Sequence, residues 1–184
     1  KITSLYYMNA KNQGLNFSVL CDGDIPQLIH TDHLRLRQIL MNLIGNALKF
    51  TPSGRIEVRV KFLADEALLQ FEVSDTGIGI SADQRERLFA PFTQADTSGS
   101  KRFGGTGLGL SICSRLVTML GGDISLESVE NVGSTFRFTI EPGAIGTMIR
   151  PGLIKPSEIP ESEIEMKAEL SDCNILLAED SIDN

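Results

Sequence analysis

The stretch from Asp32 to Lys49, and the abrupt change of period just after it, constrain the fold more than any other feature. Leu36, Ile39, Leu40, Leu43, Ile44, Ala47 and Leu48 recur at three- and four-residue spacing, the stripe of a helix lying on an apolar surface. Thr31 or Asp32 can cap its start. Pro52 disfavours helical geometry at Thr51, and Ser53-Gly54 then makes a turn. Beyond the turn, RIEVRVKF (55–62) and ALLQFEV (67–73) alternate with a period near two, and a short polar turn at Asp65-Glu66 separates them. They predict a hairpin. A second helix is expected from Thr106 to Leu120, stopped by Gly121-Gly122. DISLES (123–128) and STFRFTI (134–140) then predict another strand pair around Glu130–Gly133, with Phe136, Phe138 and Ile140 on one face. The first residues, KITSLYYMNAKNQ, begin inside a helix-like segment without an initiator methionine, as expected of a piece of something longer. The pattern predicts an α/β chain with a sheet and helices on one side of it.

With 184 residues, 41% of them hydrophobic, there is room for one domain of ordinary size plus a tail. The formal net charge of −7 and the lack of a dense Lys/Arg run argue against a nucleic-acid or anionic-membrane surface. Cys21, Cys113 and Cys173 are odd in number and lack metal spacing, which fits a reducing, cytoplasmic setting better than a disulfide framework. No run of about 18 apolar residues is present, and no signal peptide opens the chain, so membrane contact by this chain is not expected. Past Pro142 the apolar period disappears. Residues 143–172 carry irregular Gly and Pro and the acidic run PSEIPESEIE, and read as a linker between a domain at 1–142 and a short new start at 173–184.

Three boxes carry chemistry: NLIGNALKF (42–50), DTGIGI (75–80) and GGTGLGL (104–110). Asn42 and Asn46 are four residues apart, and Lys49 follows on the same helix face. An amide oxygen is a hard ligand suited to Mg²⁺, and a lysine one turn on can reach phosphates sharing the metal. Alternatively, the asparagines satisfy neighbouring backbone groups. In DTGIGI, a carboxylate at a strand end can accept from an exocyclic amine, and Gly77 and Gly79 let the backbone approach a flat base. A plain strand-to-helix turn with a capping acid is the duller reading. GGTGLGL precedes a helix, so its N–H groups can cradle an anion, with Gly105, Gly107 and Gly109 keeping the backbone open. It is neither a Walker loop, lacking Lys-Ser or Lys-Thr, nor a Rossmann turn, lacking the preceding strand. Between the boxes, Phe89 and Phe92 lead into a glycine- and serine-rich, cation-ended stretch whose composition suits a lid at 93–103. His30 and His33 have no nucleophile or ligand partner at useful spacing, and Cys113 reads as a small core residue.

Taken together, the boxes resemble those of the catalytic and ATP-binding domain of sensor histidine kinases, in the superfamily shared with gyrase B, MutL and the large chaperone ATPases. DHLRLRQILMNLIGNALKFTPSG is similar to the N box with its flanks, DTGIGI to the first glycine box, LFAPF (88–92) to the F box, GGTGLGL to the second glycine box and GST (133–135) to a motif before the last strand. The resemblance covers about Lys11 to Pro142. It implies the Bergerat fold, a two-layer α/β sandwich with a mixed sheet backed by three helices. It also implies ATP and Mg²⁺ as cofactors: Asn46 on the metal, Asn42 and Lys49 at the phosphates, Asp75 on the adenine amino group, Thr135 supporting Asp75. Phe92, Lys101, Arg102, Gly105, Thr106, Gly107, Leu108 and Gly109 would complete the nucleotide contacts with Gly77 and Gly79. Lys101 stands where many hybrid kinases carry arginine, and so keeps the charge without the bidentate geometry.

The implied reaction is transfer of the γ-phosphate to a histidine on dimerisation helices of the same parent, a homodimer. Neither His30 nor His33 has the context of that histidine. NILLAEDSIDN (174–184) resembles the first strand of a receiver domain, with Glu179 and Asp180 at its acidic pair, which makes the expected parent a hybrid kinase. Two other readings compete: a gyrase- or chaperone-type ATPase, and a nucleotide-sensing module without transfer. The hydrolytic relatives place a glutamate base at the position of Asn42, a role an amide cannot fill.

Overall fold

The computed structural model describes residues 2–85, 88, 109–150 and 153–154. Two layers are present, a sheet and a helical layer on one of its faces. The helices are α1 (Ile2–Asn12), α2 (His33–Phe50), the single turn α3 (Ala82–Arg85) and α4 (Gly109–Met119). The long strands are β1 (Asn16–Asp22), β3 (Arg55–Leu63), β4 (Leu68–Asp75), β5 (Ile124–Val129) and β6 (Gly133–Ile140). Ile25–Pro26 (β2), Met148–Ile149 (β7) and Leu153–Ile154 (β8) are two-residue strands. The main sheet runs β5-β6-β4-β3-β1-β8, with β1 and β3 parallel and the other pairs antiparallel. This is the mixed, helix-backed sandwich expected from the sequence, and among the described residues α1, α2 and α4 are the helices longer than a single turn.

Local signals explain the elements. Asp32 is the residue that caps α2, its carboxylate accepting from Leu34 N and Arg35 N at 3.1 Å each. Thr51 ends the helix in extended geometry before Pro52, as the proline requires. The predicted hairpin is β3–β4, in register from Ile56↔Asp75 to Leu63↔Leu68. Helix α4 closes on paired bonds, Gly122 N to Val117 O and Gly121 N to Thr118 O, both 3.1 Å, the glycine-terminated arrangement read from Gly121-Gly122. Residues 106–108 of that predicted helix lie outside the described residues.

The core lies between the layers. Ile39, Leu43, Ile44, Ala47 and Leu48 of α2, with Cys113 and Val117 of α4, bury against Phe17, Val19, Ile56, Val58, Leu69, Phe71, Val73, Phe136, Phe138 and Ile140 of the sheet. Phe71 and Phe138 stack across β4 and β6 with ring centres 4.9 Å apart. Cys113 is fully buried, and burial pushes its thiol up to about 12, as befits a small core residue. On the opposite sheet face Arg137 bridges Glu72 at 2.7 Å and Glu127 at 2.6 Å, and Arg59 meets Glu57 at 2.6 Å.

The stretch assigned from sequence to a linker, 143–172, begins differently from that expectation. β7 pairs with β2, β8 pairs with β1, and Arg150 Nε reaches Asp24 Oδ1 at 2.7 Å, so residues 148–150 and 153–154 lie against the domain. The physical reason is the edge: without β8, β1 would present a row of unpaired backbone groups. Residues 155–184, including the receiver-like end, lie outside the described residues. Among the described residues no helix is long and apolar enough to cross a membrane.

Candidate nucleotide-binding site

The described parts of the boxes meet at one end of the sandwich. Asn42 and Asn46 project from α2 and are half-buried, and Asn46 Nδ2 donates to Asn42 Oδ1 at 3.1 Å. That bond sets the Asn46 amide nitrogen, not its oxygen, against Asn42. Gly109, the first residue of α4, lies so close to the Asn42 side chain that a Cβ there would collide with it. The asparagine helix and the end of the second glycine box are therefore in direct contact. Lys49 Nζ rests 4.8 Å from the centre of the Phe50 ring.

The other wall is built from the end of β4. Ile78 N donates to Phe50 O at 3.1 Å, and Gly77 lies flat against the same carbonyl with no room for a side chain. The first glycine box is thus fastened to the last turn of the asparagine helix. Gly79 has φ 65° and packs on the Val129 carbonyl, a conformation and a clearance only glycine supplies. Asp75 stands half-buried between these parts. Burial pushes its carboxyl above the ordinary carboxylate value, opposed by hydrogen bonds from the backbone N–H groups of Gly77 and Ser134 and from the Thr51 hydroxyl. The Gly77 bond is 2.8 Å. The Thr51 hydroxyl is fully buried and finds no partner at good hydrogen-bond distance and angle, so its help to Asp75 is weak. A carboxylate has about four acceptor positions. Asp75 therefore keeps capacity for a ligand N–H.

Thr135 is a correction. It does not support Asp75: the register pairs Thr135 with Ser74 and Asp75 with Ser134, and the Thr135 hydroxyl lies 3.0 Å from Ser74 Oγ. Successive strand residues point to opposite faces, so Thr135 shares the outer face with Arg137 while Asp75 faces the helices. Ser134, buried at 7% exposure, is the residue beside the acid. The signal was in the sequence, since Phe136, Phe138 and Ile140 face the core and parity puts Ser134 with them. His30 and His33 are exposed, and among the described residues no cluster of His, Cys, Asp or Glu could hold a metal. Phe92, Lys101, Arg102, Gly105, Thr106, Gly107 and Leu108, and the stretch 93–103 expected to form a lid, lie outside the described residues.

A family described as histidine kinase-, DNA gyrase B-, and HSP90-like ATPase matches residues 31–144, a span that takes in both walls of the site. The chain belongs to this ATPase family. Hybrid signal transduction histidine kinase B of Dictyostelium discoideum is 43% identical to this chain over 145 residues, which are 77% of this chain and 7% of that protein. The aerobic respiration control sensor protein ArcB of Escherichia coli (strain K12) is 39% identical over 181 residues, 97% of this chain and 22% of its own length. Full-length ShkA in complex with AMPPNP superposes with a TM-score of 0.69 at 34% identity, over 79% of this chain and 29% of that one. The chain thus spans less than a quarter of the curated relatives it is similar to here.

Proposed function

We propose that this ATPase domain is the phosphate-donating lobe of a hybrid protein-histidine kinase, binding Mg²⁺-ATP and presenting its γ-phosphate to a histidine on dimerisation helices of the same parent. The observation that carries the reading is the convergence of Asn42 and Asn46 from α2, Gly109 from α4 and Asp75 from β4 on one end of the sandwich. In this reading Asp75 accepts a hydrogen bond from the adenine amino group, and Gly77 and Gly79 allow the base to lie against bare backbone. Asn46 offers its amide oxygen to Mg²⁺, oriented by Asn42, and Lys49 and the glycines up to Gly109 hold the phosphates. Phe92, Lys101, Arg102, Gly105, Thr106, Gly107 and Leu108 would complete the enclosure. A single protein oxygen suits Mg²⁺, which keeps its waters and takes substrate phosphates as further ligands. Bound there, the ion would neutralise charge on the β- and γ-phosphates.

The chain's own part is positioning. It holds the triphosphate so that an imidazole can attack in line, and it carries at Asn42 an amide with no basicity to activate water. That feature separates a donor to histidine from a hydrolytic machine of the gyrase type. The name of the Dictyostelium relative and the receiver-like residues 173–184 support a hybrid parent, with 155–172 as the connection. Such a domain works where ATP is supplied, in the cytoplasm.

Calorimetry on Asn46→Ala tests the assignment. The variant should lose about 1–3 kcal/mol of Mg²⁺-ATP affinity while binding ATP in EDTA as the wild type does. Equal Mg²⁺-dependence in the two proteins would refute it.

A further inference from the structure

The first glycine box is held from behind by a buried hydroxyl. Ser128, on β5, is 7% exposed. Its Oγ accepts from Ile80 N at 2.8 Å, donates to the Gly133 carbonyl oxygen at 2.9 Å and lies 3.0 Å from Ser134 Oγ. A hydroxyl has one proton and two lone pairs. The carbonyl of Gly133 can only accept, so the Ser128 proton goes there, and the Ser134 hydroxyl must donate to Ser128. Every valence of the group is then used. Ile80 closes the loop that contains Gly77 and Gly79, and Ser134 supplies a backbone N–H to the Asp75 carboxyl. One oxygen therefore ties the glycine loop to the strand that holds the acid. Two contacts nearby act in the same direction: Asn131 N donates to Ile78 O at 2.6 Å, and Gly79 packs on the Val129 backbone.

On the reading that Asp75 receives the adenine amino group, we propose that Ser128 is a positioning residue for base recognition. It sets the distance between the carboxylate and the backbone on which the base lies, acting through Ile80 and Ser134. Removing it leaves the part-buried Ile80 N–H without its partner and breaks the link to Ser134, which frees the loop to shift relative to Asp75. A hydrogen bond to a base amino group is sensitive to such a shift, whereas phosphate contacts made from α2 and α4 are not.

The test compares ATP with purine riboside triphosphate, which lacks the amino group, by calorimetry with Mg²⁺. Wild type should prefer ATP by roughly tenfold or more, as a site built around a hydrogen bond does. No preference in wild type would overturn the reading of Asp75 and the proposal with it. Given that preference, Ser128→Ala should shrink it by about fivefold with the affinity for the analogue nearly kept, the loss of one buried hydrogen bond being of that order. Ser128→Thr retains the hydroxyl and should restore the preference. Ser134→Ala, which keeps its N–H on Asp75, should move it less than Ser128→Ala. An unchanged ratio in Ser128→Ala, or equal losses for both nucleotides, would overturn the positioning role and leave the reading of Asp75 standing. A measurement on wild type needs no variant to fold: without nucleotide, the Ile80 amide should exchange as slowly as amides of β4 and β6. Exchange at the rate of an open loop would also overturn the proposal.

Discussion

Asp75 is placed where folding would rather have a neutral group. Burial raises its carboxyl above the ordinary 3.8, so ionisation is disfavoured in the folded state. The cost to stability is absent below that ordinary value, sets in as pH climbs through the raised one, and persists at neutral pH. Asp75→Asn removes it and still accepts from Gly77 N. The variant should melt higher than wild type at pH 7 and show no such gain below about pH 3.8, measured by thermal unfolding across that range. The same change should weaken ATP binding by roughly tenfold and narrow the gap between ATP and GTP, because an amide can also donate to a carbonyl on the base. A stabilised protein that discriminates as wild type does would mean the acid serves no nucleotide. That the acid closes a strand was legible, from the alternation of ALLQFEV before it. The identity of its supporting residue was not read correctly, because Ser134 and Thr135 are neighbours and only the parity of β6 separates them.

At the scale of elements, α2 does double work: one stripe forms the core and the adjoining face carries Asn42, Asn46 and Lys49. Its position therefore matters to the site as well as to stability. The Asp32 carboxylate satisfies two of the orphan N–H groups at its start and also pairs with Arg35 at 3.0 Å. Asp32→Ala should cost about 1 kcal/mol, read as a lower urea midpoint with an unchanged slope. Asp32→Ser keeps a cap without the ion pair and should recover most of the loss, since a half-exposed ion pair contributes little. A serine variant as unstable as the alanine one would transfer the effect to Arg35. The helix and both hairpins were legible because their periods are local and their stops are chemical: Pro52 for α2, Gly121-Gly122 for α4. Strands β7 and β8 were not, because two residues carry no period and pair only where an edge happens to be open.

For the whole molecule, in the proposed reading neither His30 nor His33 is the acceptor, so this chain should bind ATP and remain unlabelled itself. Incubated with γ-labelled ATP and the dimerisation helices of its parent, it should transfer label to those helices as an acid-labile, base-stable phosphoramidate. Radiolabel on this chain alone, or ATP turnover that survives Asn42→Ala, would point instead to another chemistry. The sequence by itself determined the layered α/β plan, the order of the boxes and the types of group each brings, since these depend on periods, stops and side-chain chemistry within a few residues. Tertiary structure alone decided which groups meet: the parallel β1–β3 pairing, Gly109 against Asn42, Ile78 on the Phe50 carbonyl, Ser134 beside Asp75. Those juxtapositions depend on strand register and on the seating of helices on the sheet. Both are set by burial summed over residues far apart in the chain, and a one-residue change of register would exchange the faces of every side chain in a strand.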